Sequence, residues 1–171
     1  MTVRCVEPAE ALGGPDEYLV SVAANDELLF PHVDSCIAIA FILNNNSMIG
    51  GHVGMQMPTA ADLNPHGNAM QICNQMMQRV GNAQVNTLIM VGDANWENEF
   101  IGNRNVVQDI ITRVGCINSL FIDTGSFGGG VDVSLNPRRE MVFIQRCTDN
   151  RALVFQRPYA RITGPQIERP T

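Results

Sequence analysis

The segment that most restricts the fold is Cys36–Leu43, CIAIAFIL, an apolar run with no polar alternation. Its length suits a strand, and apolar residues on both faces predict a central strand buried on both sides. Asn44-Asn45-Asn46-Ser47 follows as a turn, because asparagine tolerates positive φ and hydrogen-bonds its own backbone. Met48–Met57 then returns beside the first strand until Pro58 ends it. The hairpin brings Cys36, at the head of one strand, and His52, just after Gly50-Gly51, toward the same end. That spacing suits a thiol nucleophile and its base, and equally a buried thiol and imidazole with only structural roles.

The flanking chain supplies layers for such a strand. Glu17–Ala24 alternates Tyr18, Val20 and Val22 as a strand would, and Leu28–Phe30 is extended up to Pro31. From Asn68 to Val80, apolar residues recur at three- and four-residue spacing, which predicts an amphipathic helix ended by Gly81. Val85–Val91 reads as a strand. Asn103–Val114 reads as a helix with Val106, Val107, Ile110, Ile111 and Val114 on its buried face and Gly115 as its stop. Ser119–Asp123, Val131–Leu135, Met141–Cys147 and Ala152–Gln156 are further β segments, with a glycine-rich loop at Gly125–Gly130. His66, in NPHG, reads as a turn residue. Asp93 and Asp123 both stand at strand exits, where functional polar groups collect. No repeat or linker divides residues 1–171, so a single domain is expected. Its core spans about residues 17–156, with 1–16 and 158–171 as peripheral arms, the first irregular and the second loosely attached. The fold class is α/β (α+β), with mixed β-sheet and two helices on one side.

Charge and composition remove several functions. The net charge is −6 and the pI about 4.9, which argues against a nucleic-acid partner. No stretch has the length and apolarity of a membrane span. The first residues carry acids where a signal peptide would be apolar, so a cytoplasmic location is expected. The five cysteines are dispersed with no CxxC and no histidine at metal spacing, which predicts reduced thiols and no zinc site. All 11 basic residues are arginine, so lysine-based Schiff-base and phosphate chemistry is absent. Codon bias accounts for a lysine-free chain; so does an effector that escapes ubiquitin tagging in a host cytosol. The Gly125–Gly130 run lacks a phosphate-cradle ending, and no GxSxG elbow occurs.

Several segments, taken together, resemble one family. They are Leu28-Leu29-Phe30-Pro31-His32-Val33-Asp34-Ser35-Cys36, then Gly50-Gly51-His52 and Met57-Pro58. Downstream come Leu88–Asn95 (LIMVGDAN), Ile101-Gly102-Asn103-Arg104-Asn105-Val106, Ser119–Gly125 and Arg139–Phe143. In these the chain resembles the CheD family of chemoreceptor glutamine deamidases, relatives of the Cys–His deamidase toxins typified by cytotoxic necrotizing factor. The Ile101–Val106 match is the most specific.

The resemblance implies a layered CheD-like sandwich and a cofactor-free hydrolase acting on protein glutamine side chains. Cys36 would be the nucleophile and His52 the general base. Ser35, Ser21 and His32 would be candidate orienting or oxyanion neighbours, or a backbone carbonyl would orient the histidine, as in the toxin branch. The substrate would be a chemoreceptor-like or host protein, with a regulatory protein as a further partner. The chain departs from the family at Phe30, where the family has threonine, and at Asp34, where it has glycine. His52 also comes two residues early, and Phe127–Leu135 reads as an insertion that adds a glycine-rich loop. Phe30 and Asp34 are what favour the alternative, a CheD-like binding module without catalysis that docks on a receptor or signalling partner.

Overall fold

The structure, a computed structural model, describes residues 2–8, 18–55 and 64–171. The Met57-Pro58 end of the hairpin lies outside the described residues. In chain order the strands are β1 (Val3–Cys5), β2 (Leu19–Val22), β3 (Glu27–Val33), β4 (Ile37–Leu43), β5 (Met48–Val53) and β6 (Val85–Gly92). Next come the short pair β7 (Phe100–Ile101) and β8 (Arg104–Asn105), then β9 (Ser119–Asp123) and β10 (Val131–Asn136). β11 (Met141–Arg146), β12 (Leu153–Pro158) and β13 (Pro165–Glu168) complete the set. Helix α1 (Pro65–Val80) follows β5, and α2 (Val106–Val114) follows β8.

β4 is buried at every residue because a layer covers each of its faces. It is central in a six-stranded mixed sheet ordered β13-β9-β6-β4-β5-β2, antiparallel to both β5 and β6. Ile37, Ile39, Phe41 and Leu43 face the helices, packing with Ile72 and Met76 of α1 and Val106 and Ile110 of α2. Ala38, Ala40 and Ile42 face a second, five-stranded sheet ordered β1-β3-β10-β11-β12. The fold is therefore α/β (α+β), with two helices, a mixed sheet and a second sheet as successive layers.

Small residues set the spacing between these layers. A Cβ on Gly51 would come within 2.6 Å of Met76 Sδ and 2.9 Å of Ile72 Cγ2, so glycine lets α1 lie close on β5. On the opposite face, a Cβ on Gly50 would meet the Phe30 ring at 3.0 Å and Val6 at 3.1 Å. Ala38, Ala40 and Gly50 thus leave the room that Phe30, Leu28 and Val6 fill from the second sheet.

Helix α2 begins with a reciprocal cap. The Asn105 side chain accepts from Gln108 N–H while the Gln108 side chain accepts from Asn105 N–H. It ends at Gly115, which takes the left-handed conformation at φ 71°.

Three expectations need correction. His66 is not a turn residue: α1 starts at Pro65, Asn64 caps it, and His66 is buried. β3 does not stop at Pro31 but continues to Val33 through a bulge, with His32 at φ 54°. The arms are built into the sheets. β1 pairs in parallel with β3 and β13 with β9, while Val6, Tyr159 and Ile162 join the inter-sheet core.

Candidate active site

Cys36 sits where the Asp34-Ser35 turn enters β4, and it is buried with 8% of its surface exposed. Two contacts fix its backbone. Buried Trp96 donates its indole N–H to Ser35 O at 3.0 Å. The exit of β6 presses on the other side, where a Cβ on Gly92 would lie 3.2 Å from Cys36 O. Trp96 is placed there by a 3-10 turn, Ala94–Asn98, which Asp93 caps by accepting from Asn95 N–H.

His52 lies on β5 directly opposite Ala38. Residues paired across a ladder share a face, and side chains two apart along a strand do too. His52 therefore faces the second sheet together with Ala38, and Cys36 lies one residue before β4 begins, at the same end of the hairpin.

The imidazole is held from two directions. Its Nδ1 lies 2.8 Å from Val6 O, and because a carbonyl only accepts, Nδ1 carries the proton. That fixes the tautomer and leaves Nε2 as a bare lone pair. Nε2 is buried and makes no hydrogen bond among the described residues. Phe30 packs edge-on to the ring at 6.0 Å between centroids. Burial pushes the His52 pKa down to about 4; the Val6 carbonyl opposes the shift and the charge of His32 adds to it. At neutral pH the ring is uncharged, with Nε2 able to accept a proton.

The other predicted neighbours fall into place unequally. Ser35 adjoins Cys36, and its carbonyl is the Trp96 acceptor. Ser21 is exposed on edge strand β2 opposite Ile49, three residues along from His52, so the two are not brought together. His32 is exposed, and its backbone N–H, not its ring, is engaged: it donates to Asp132 Oδ1 at 3.1 Å. Asp132 also accepts from the Cys147 thiol at 3.2 Å and pairs with Arg151. Burial pushes the Asp132 carboxyl up, but the bonds from Arg151, His32 and Cys147 outweigh it and hold the pKa below the usual carboxylate value. The same contact and burial push the Cys147 thiol up to about 11, so Cys147 stays protonated. Asp34 is exposed beside Gly130.

Sequence reasoning missed Val6, Trp96 and Asp132. Trp96 had a signal, being the one tryptophan in the chain. Val6 had none, because a carbonyl acceptor is invisible in residue type.

A second His–Asp pair joins the helices: His66 Nε2 lies 2.8 Å from Asp109 Oδ2, and Arg104 lies 3.1 Å from Asp109 Oδ1. An apolar cavity of about 310 Å³ opens between α2 and β13, with Met90 and Phe121 in its floor, on the helix-covered face of the sheet. Among the described residues no three His, Cys, Asp or Glu side chains are grouped to hold a metal ion, and no helix is long and apolar enough to cross a membrane. The sequence matches no known protein-family model and no curated protein.

Proposed function

We propose that the protein is a cysteine-dependent protein glutamine deamidase of the CheD-like kind, with Cys36 as nucleophile and His52 as general base. One observation carries the reading. A buried imidazole at the thiol's end of the hairpin has Nδ1–H tied to the Val6 carbonyl and Nε2 without a hydrogen bond among the described residues. A cysteine nucleophile needs a base in this tautomer, oriented by a third group. The Val6 carbonyl fills the orienting position, as a backbone carbonyl does in the toxin branch, and Ser21 and His32 are not needed for it.

The reaction follows from these roles. Nε2 takes the Cys36 proton as the sulfur attacks the side-chain carboxamide carbon of a glutamine in a protein. The C=O electrons move to oxygen, and backbone N–H groups near Cys36 stabilise that oxyanion. The tetrahedral species collapses as His52 returns the proton to the departing nitrogen; the C–N bond breaks and ammonia leaves. Water, deprotonated by Nε2, attacks the thioester, the C–S bond breaks, and glutamate and the free thiol result. The net change is carboxamide plus water to carboxylate plus ammonium, with no cofactor. The substrate protein is a chemoreceptor in a chemotaxis setting, or a host protein if the chain acts as an effector.

A second reading has a specific observation behind it. A base whose pKa is lowered to about 4 accepts a thiol proton reluctantly, and Phe30 offers the ring no hydrogen bond. This favours a binding module that keeps the fold without turnover. Ammonia release from glutamine-bearing protein substrates decides between the two. The deamidase reading expects release by wild type that is lost in Cys36→Ser; equal release by both proteins rules out this site as its source.

A further inference from the structure

The edge strand β13 carries the six-stranded sheet past helix α2, and a cavity is left between the two. Met90 on β6 pairs with Phe121 on β9, and Phe121 with Ile167 on β13, so the register sets these three side chains in one row across the sheet. Met90 and Phe121 are buried in the core beneath the helices, whereas Ile167 is 54% exposed at the end of the row. Val107 and Ile111 of α2 form the facing wall, and the space between wall and row is about 310 Å³.

Four polar residues also line this space, and each is already hydrogen-bonded within the chain. Asn105 and Gln108 accept from one another's backbone N–H groups at the start of α2. Both carboxylate oxygens of Glu97 accept from Arg169, at 2.8 and 2.7 Å. The Gln166 side chain accepts from Arg157 at 2.8 Å and donates to Thr163 O at 3.1 Å. The charge of Glu97 is thus matched by Arg169, and a charged ligand would lose its hydration here without gaining a counter-ion.

We propose that the cavity binds an uncharged aromatic molecule of one or two fused rings. An apolar cavity of about 150 Å³ already admits benzene, and this one has about twice that volume. Phe121 offers its ring for offset or edge-on packing, and Met90 offers a thioether, which packs favourably on aromatic rings. Ile167, exposed at the mouth, is the apolar surface that such a ring would cover. Nothing in this site depends on the chemistry at Cys36.

The test titrates full-length protein, isotope-labelled at its Met and Ile methyls, with toluene, naphthalene and naphthoate. Toluene and naphthalene should shift the methyls of Met90, Ile111 and Ile167 saturably and leave Met48, in the inter-sheet core, in place. Naphthoate brings a carboxylate with no cation to meet it, and should bind at least about tenfold more weakly. Ile167→Asp puts a charge at the mouth and should weaken naphthalene binding several-fold. Ile111→Trp fills the space and should abolish the shift at Met90, with an unchanged Met48 signal showing that each variant is folded. Shifts that do not saturate, that appear equally at Met48, or that naphthoate matches overturn the proposal. Unaltered naphthalene binding by folded Ile167→Asp does so too. Movement of the same methyls with protein concentration alone would put a second copy of the chain in the cavity, and would equally overturn it.

Discussion

Protonating His52 means placing a charge where no water reaches, and that fixes its pH behaviour. Its pKa falls from 6.5 in the unfolded chain to about 4 in the folded one. Between those values the unfolded state binds the extra proton, so stability rises with pH and is lost as pH falls from 6.5 toward 4. A shift of this size corresponds to about 3 kcal/mol. Urea midpoints at pH 7 and pH 4.5 should differ less in His52→Gln than in wild type; parallel losses would show that His52 does not carry this pH dependence. Phe30, fully buried against the ring and Gly50, is a core residue first. Phe30→Ala should cost about 3–5 kcal/mol in denaturant unfolding, whereas a loss below about 1 kcal/mol would mean that the sheets close over the gap.

At the scale of elements, the glycines and caps decide how closely the layers meet. Gly51→Ala places a methyl against Met76 and Ile72 of α1, and should destabilise by about 1–3 kcal/mol. An unchanged thermal midpoint would show that α1 yields at no cost. Asn105→Ala removes one half of the α2 cap and should cost about 1 kcal/mol. Most of these elements were legible in the sequence. The periodicity of α2, the unbroken apolar run of β4 and the asparagine turn are local signals that survive folding. The division into two sheets was not, since Phe30 gives no sign that it belongs to the opposite layer from Ala38. Parallel edges such as β1 on β3 and β13 on β9 were also hidden, because their pairing joins distant segments without a turn to announce it. His66 read as a loop residue for a related reason. Its Pro65 neighbour looks like a breaker but is tolerated in the first helical turn, where its missing N–H costs nothing.

For the molecule as a whole, both ends of the chain contribute to the inter-sheet core and to the site. Val6 brings a carbonyl from the start of the chain to His52, and Arg169 brings a guanidinium from its end to Asp123 and Glu97. Removing residues 159–171 strips buried Tyr159 and Ile162 and strand β13, and should lower stability by about 3 kcal/mol or more. A truncated chain with wild-type urea stability would contradict this account of the tail. The site itself was half legible. A thiol and an imidazole announce themselves by residue type, and the hairpin brings them to one end. The orienting carbonyl and the Trp96 clamp come from tertiary contact alone. The central claim is that Nε2 of His52 activates Cys36, and iodoacetamide labelling at pH 6–7 tests it most directly. Cys5 is exposed and serves as the comparison thiol. The account predicts that Cys36, though buried, is alkylated at least as fast as Cys5 in wild type, and several-fold more slowly in folded His52→Gln. Slower labelling of Cys36 than of Cys5, unchanged by His52→Gln, would contradict it.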